Sequence, residues 1–108
     1  MKPFKLTETS PGKFSLLLTE FSPASDVFEK ACHEGGGYSW EAVARQVVEG
    51  HPGLAQRLSF DPESSMFCAY GTDKAALEQL GAELAVLFHD PAKLQAVIAR
   101  VPEDAWDD

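Results

Sequence analysis

Gly35-Gly36-Gly37 constrains the fold of this chain more than any other stretch. Three consecutive residues without a β-carbon permit backbone conformations and close approaches that other residues cannot make. The next residues, Tyr38-Ser39-Trp40-Glu41, open a run in which Trp40, Val43, Ala44, Val47 and Val48 recur at helical spacing. The glycines therefore read as a joint leading into a helix, with Ser39 as its N-cap and Trp40 as its anchor in the core. The same spacing puts Glu41, Arg45 and Glu49 on the outer face, where Arg45 has an acid four residues away on each side, a pairing worth only about 0.2–0.5 kcal/mol. Tyr38 falls in the loop, outside the buried stripe.

Upstream of the joint, Lys2 to Glu8 alternates as a half-buried strand does, Ser10-Pro11-Gly12-Lys13 has turn chemistry, and Phe14 to Glu20 supplies a second strand. A short helix follows Phe21-Ser22-Pro23, with Ser25 as N-cap, acids at Asp26 and Glu29, and an apolar stripe of Val27, Phe28, Ala31 and Cys32. The glycines end this helix through left-handed backbone conformations. Downstream, Gly50-His51-Pro52-Gly53 stops the second helix, and Leu54 to Leu58 forms one further turn. Asp61-Pro62-Glu63-Ser64 reads as a turn into a third strand from Ser65 to Gly71, whose residues are apolar on both faces, as in a central strand covered on both sides.

Thr72 and Asp73 offer caps for a long helix to about Phe88, with Leu77, Leu80, Leu84, Leu87 and Phe88 inward and Gly81 allowing another element to come close. Asp90-Pro91 starts a last helix carrying Leu94, Val97, Ile98 and Val101, and Pro102 ends it. The expected fold is α+β, a sheet of three strands or slightly more covered by about four helices, in the order β-β-α-α-β-α-α. Residues 1–102 form one domain in this reading, and 103–108 an acidic tail from which Trp106 can dock on the body.

The chain has 17 acidic against nine basic residues and a net charge of -8. Such a field repels phosphate backbones, so nucleic acid is not an expected partner. It attracts a basic protein surface and speeds encounter with one. Apolar runs are too short for a membrane span and no signal-peptide pattern opens the chain, so it reads as cytoplasmic, with Cys32 and Cys68 as reduced thiols.

No arrangement of residues points to catalysis or to a metal or cofactor. His33, His51, His89, Cys32 and Cys68 lack the spacing of metal ligands. Cys68 falls in the strand expected to be buried, which makes a thiol inert, and no Gly-x-Ser-x-Gly elbow occurs. Trp40 stands where the third glycine of a dinucleotide-binding loop belongs. Glu34, Glu41, Asp61 and Glu63 are carboxylates near turns, the ordinary state of a solvated acidic surface.

Gly35-x-Gly37-Tyr38-x-Trp40-Glu41, followed by Phe60-Asp61-x-Glu63-x-x-Met66-Phe67-Cys68-Ala69-Tyr70, resembles the immunity protein 51 family, small cytoplasmic proteins associated with bacterial polymorphic-toxin loci. The family pattern often has asparagine at the position of Gly36 and an acid at that of Ser39. The resemblance implies a non-enzymatic binding protein that neutralises a cognate toxin by occlusion, and the acidity suits a basic toxin such as a nuclease. Glu34, Tyr38, Glu41, Asp61 and Glu63 are the expected partner contacts. The competing reading is a small enzyme or ligand-binding domain with a pocket between the sheet and the glycine loop.

Overall fold

A computed structural model describes residues 1–107. Strands β1 (Lys5–Ser10) and β2 (Lys13–Leu18) form an antiparallel hairpin, and two helices follow, α1 (Ser22–Lys30) and α2 (Gly37–Glu49). A two-residue strand β3 (Ser59–Phe60) precedes β4 (Phe67–Gly71), and α3 (Lys74–His89) and α4 (Pro91–Arg100) complete the fold. The α+β layout and element order are those expected, with β3 added. Its two residues are too few to leave a periodic signal.

All four strands are antiparallel, in the spatial order β1-β2-β4-β3. The pleat sends Leu16, Leu18, Phe67 and Ala69 to one face, where they join a single core with residues from all four helices. Trp40 lies at the centre of that core, fully buried, with Phe4, Phe28 and Phe88 at ring-centroid distances of 5.6, 5.4 and 5.9 Å. Leu77, Leu80, Leu84, Leu87, Phe88, Leu94, Val97, Ile98 and Val101 are buried as their spacing predicts. A β-carbon on Gly81 would overlap the Met1 sulfur and stand 3.0 Å from a Leu16 methyl, so the glycine leaves room for both side chains against α3.

The opposite face carries no helix. Register places Thr7, Ser15, Tyr70 and Ser59 in one row across it. Lys5, Leu17 and Cys68 form the next row, and Asp61 extends it, because the Asp61 N–H donates to the Cys68 carbonyl at 3.0 Å. The expectation that the third strand is covered on both sides holds at Cys68 and is corrected at Tyr70. β4 is interior to the sheet, but Tyr70 is 44% exposed. Of its outward residues, Cys68 is buried and Tyr70 is open to solvent.

The ends of the helices also differ from expectation. α1 starts at Ser22-Pro23, three residues before Ser25, because proline is already set for a first helical turn. Ser25 instead donates its hydroxyl to the Ser22 carbonyl at 2.9 Å. The helix stops at Cys32, which takes the left-handed conformation at φ 67°. The N–H groups of Cys32 and His33 donate back to the carbonyls of Glu29 and Phe28 at 3.0 and 2.9 Å, a Schellman stop completed before the glycines. Ala31 and Cys32 are consequently exposed rather than part of the buried stripe. In α2 the N-cap is Gly36, and Ser39 lies inside the first turn, where its hydroxyl accepts from the Gly35 N–H at 2.9 Å.

Asp73 and Asp90 cap α3 and α4 through their carboxylates, which accept from Ala76 and Lys93 N–H groups at 3.1 and 3.2 Å. After α4 a short turn at Glu103–Ala105 brings Trp106 flat against His33, with ring centroids 3.6 Å apart. Asp108, the last residue of the acidic tail, lies outside the described residues.

A β-carbon on Gly37 would overlap the backbone carbonyls of Glu63 and Met66, whereas one on Gly50 would meet only an ordinary contact. Gly37→Ala should therefore lower unfolding free energy by about 1–3 kcal/mol, and Gly50→Ala should leave it within about 1 kcal/mol of wild type, in urea titrations of the two variants.

Candidate interaction surface

The glycine joint is a docking point within the molecule. The Glu63 N–H donates to the Met66 carbonyl at 2.8 Å and the Met66 N–H returns to Glu63 at 3.1 Å, so the chain reverses tightly at Ser64-Ser65. The turn, Glu63 to Met66, is thus shifted by two residues from the Asp61–Ser64 segment expected to form it, and Asp61 still runs alongside β4. The tip of this hairpin presses its backbone onto Gly36 and Gly37, leaving no room for side chains there. The Ser64 carbonyl accepts from the Gly37 N–H at 3.2 Å, which satisfies one of the free donors at the start of α2.

This docking sorts the five expected contact residues. Glu34, Tyr38 and Glu63 are exposed, Tyr38 at 37%, and the hairpin tip sets the Glu63 backbone against the residue that precedes Tyr38. Tyr38 and Glu63 thus flank the glycine joint, and Glu34 immediately precedes it in the chain. Asp61 is exposed as well, but it belongs to the open face of the sheet. Glu41 departs from the expectation of an outer-face acid: it is 8% exposed. The first turns of α2 are enclosed nearly all round, from Ser39 to Ala44. Glu41 accepts from Nη2 and Nε of Arg45 at 2.8 and 3.1 Å, and the guanidinium lies 4.8 Å over the Phe60 ring. The pair latches α2 to β3 and presents no free carboxylate to a partner. Helical spacing shows the Arg45 pairing but not the depth of burial, because Phe60 arrives from β3.

The titratable groups weighed as metal ligands or nucleophiles are dispersed. His51 contacts Glu83 at 2.7 Å and Gln79 at 3.3 Å, tying the loop after α2 to α3, while His89 reaches the Lys2 carbonyl at 2.9 Å. Among the described residues no group of three or more His, Cys, Asp or Glu is gathered about one point. Burial raises the Cys68 thiol above its ordinary pKa, the nearby Asp61 charge raises it further, and a hydrogen bond with Ser15 works the other way. It is a poor thiolate at neutral pH.

A cleft of about 350 Å³ opens on the uncovered sheet face, lined among others by Lys13, Ser15, Asp61, Cys68 and Tyr70. The sequence reading missed Tyr70 as a surface residue because an uninterrupted apolar run hides which face is open. A second cleft, of about 440 Å³, lies beside Arg45 and Phe60.

The geometry defines an acidic two-layer α+β domain that displays carboxylates and tyrosines on rigid secondary structure. The model of the Immunity protein 51 family matches residues 4–102, nearly the full length, and the chain belongs to that family. Membership implies an immunity protein, hence binding to a cognate toxin and a non-enzymatic role. Comparison with curated proteins and with solved structures returned no match. Among the described residues no helix is long and apolar enough to cross a membrane.

Two outcomes check the site. Iodoacetamide should alkylate exposed Cys32 first, with Cys68 labelling slowly at neutral pH and faster as pH rises toward its raised pKa, as read by peptide mass spectrometry. Glu41→Lys, which sets a second cation beside Arg45 in a buried position, should cost about 1–3 kcal/mol of stability, against no more than about 0.5 kcal/mol for Glu63→Lys, by thermal unfolding.

Proposed function

We propose that the protein binds a cognate bacterial toxin in the cytoplasm and neutralises it by occlusion, without turnover. The observation that carries this reading is the family match over residues 4–102 in a chain of net charge -8. Glu34, Tyr38 and Glu63 are the contacts at the glycine rim. A tyrosine offers a large contact area at low entropic cost, and flanking carboxylates steer a basic partner into register. The toxin class that fits is basic, such as a nuclease whose phosphate groove the carboxylates would fill in place of phosphates.

The alternative, a ligand pocket against the glycine loop, has no space on the inner side of Gly36 and Gly37, where the carbonyls of Glu63, Ser64 and Met66 are packed.

The test is copurification with the product of the neighbouring toxin gene, together with protection of cells that express it. Failure of the wild-type protein to bind or protect would sink the reading. Reversing Glu34 and Glu63 to Lys should slow association about ten-fold at low salt, with the difference shrinking as salt rises. An association rate equal to wild type at low salt places the contact away from the glycine rim.

A further inference from the structure

Three regions outside the glycine rim merit comparison. The His51–Glu83 contact joins two elements of the body through one Glu83 oxygen and is braced by Gln79, and although the other Glu83 oxygen is buried without a partner among the described residues, no ligand set gathers about it. The stacked His33 and Trp106 rings are likewise satisfied by their own packing. The open face of the sheet is different, because its polar and aromatic groups are turned outward beside a cleft.

Four observations converge there. First, the core that the helices share lies on the other face, and Ser15, Leu17, Cys68 and Tyr70 run across β2 and β4 on this one, with Tyr70 exposed, Ser15 and Leu17 half-buried and Cys68 buried. Second, Tyr70 is 44% exposed in the interior of a sheet, and burying such a ring against a partner yields a large apolar gain. Third, among the described residues the Asp61 carboxylate makes no ion pair or side-chain hydrogen bond, although Lys13 lines the same cleft. Fourth, the cleft between them, about 350 Å³, has the volume to admit one long side chain and is open to solvent. A carboxylate just beyond β3 and an aromatic face on β4 are the two groups that hold a guanidinium, one by charge-assisted hydrogen bonds and the other by cation–π contact.

We infer that this open sheet face is a docking surface for the cognate toxin and that the cleft between Asp61 and Tyr70 receives an arginine side chain from it. The inference rests on the toxin-binding reading above. It extends the contact from the rim along a single element, since the hairpin that presents Glu63 at its tip presents Asp61 near its base and continues into Tyr70 on β4. The occupant is a cation because the chain's field attracts one and the cleft holds an unpaired carboxylate. Arginine suits it better than lysine because a planar fork both pairs with the carboxylate and stacks on the ring.

The test measures binding of the purified product of the neighbouring toxin gene to full-length wild type, Asp61→Asn, Tyr70→Ala, Tyr70→Phe and Glu78→Gln, with association and dissociation followed separately. Asp61→Asn and Glu78→Gln each remove one negative charge, but Glu78 lies on helix α3, away from the cleft. Asp61→Asn and Tyr70→Ala should each speed dissociation about ten-fold or more, Tyr70→Phe should stay within about three-fold of wild type, and Glu78→Gln should leave dissociation unchanged. Asp61→Asn is nearly isosteric at an exposed position, so it remains informative if Tyr70→Ala fails to fold. Dissociation of Asp61→Asn within about two-fold of wild type overturns the inference while leaving the toxin-binding reading intact. Absence of binding by wild type overturns both.

Discussion

The contact of the Ser64-Ser65 hairpin tip with Gly36 and Gly37 is the constraint on which the rest of the structure depends. It joins the start of α2 to the hairpin that leads into β4. α2 cannot place Trp40 at the centre of the aromatic cluster unless its first turn lies under the hairpin, and the hairpin cannot close that side without glycines beneath it. Backbone-to-backbone packing is unforgiving, because neither partner has a side-chain rotamer with which to relieve an overlap. The two motifs that resemble the family, one at the joint and one along β3 and β4, are the two sides of this contact. Their pairing has a physical cause that does not depend on any partner.

The glycines serve by size more than by conformation. Only Gly35 of the three takes positive φ, and the left-handed stop of α1 falls on Cys32. A cysteine there pays for a conformation that favours glycine, and the two Schellman hydrogen bonds offset part of that cost. Trp40 shows a related compromise. Its Nε1 has no hydrogen-bond partner among the described residues, yet three phenylalanine rings surround it and supply the edge-to-face and stacked contacts that hold an aromatic core together. Weak N–H contact with a ring face is the acceptor such a cluster can offer.

What was legible in the sequence follows from the range of each signal. Helix faces repeat locally, so Leu77 to Phe88 and Leu94 to Val101 could be placed inward from spacing alone, and Asp73 and Asp90 could be identified as caps. Exposure set by distant segments was not legible. Glu41 occupies an outer position by helical geometry and is buried because Arg45 and Phe60 close over it. Tyr70 sits in an apolar run that reads as doubly covered and is exposed because no helix crosses the outer face. The candidate contacts therefore separated into a rim, a latch and an open-face carboxylate only when the hairpin was seen in place.

That separation bears on how an immunity protein of this size achieves a defined interface. An exposed acidic side chain on a flexible loop must be ordered on binding, which subtracts from affinity. Here Glu63 is carried by a tip whose backbone is held against α2, and Asp61 by a segment hydrogen-bonded to β4. The hairpin's close seat on glycine thus preorganises charges that would otherwise be diffuse, while long-range attraction from the remaining acids accelerates encounter without fixing geometry. In the proposed interface, stability and recognition are coupled through one element: a change beneath the tip alters the fold and, with it, the positions of the carboxylates, whereas a change at the carboxylates leaves the fold in place. Recognition can therefore diversify on the exposed edge of the hairpin while its buried edge stays bound to the glycine joint.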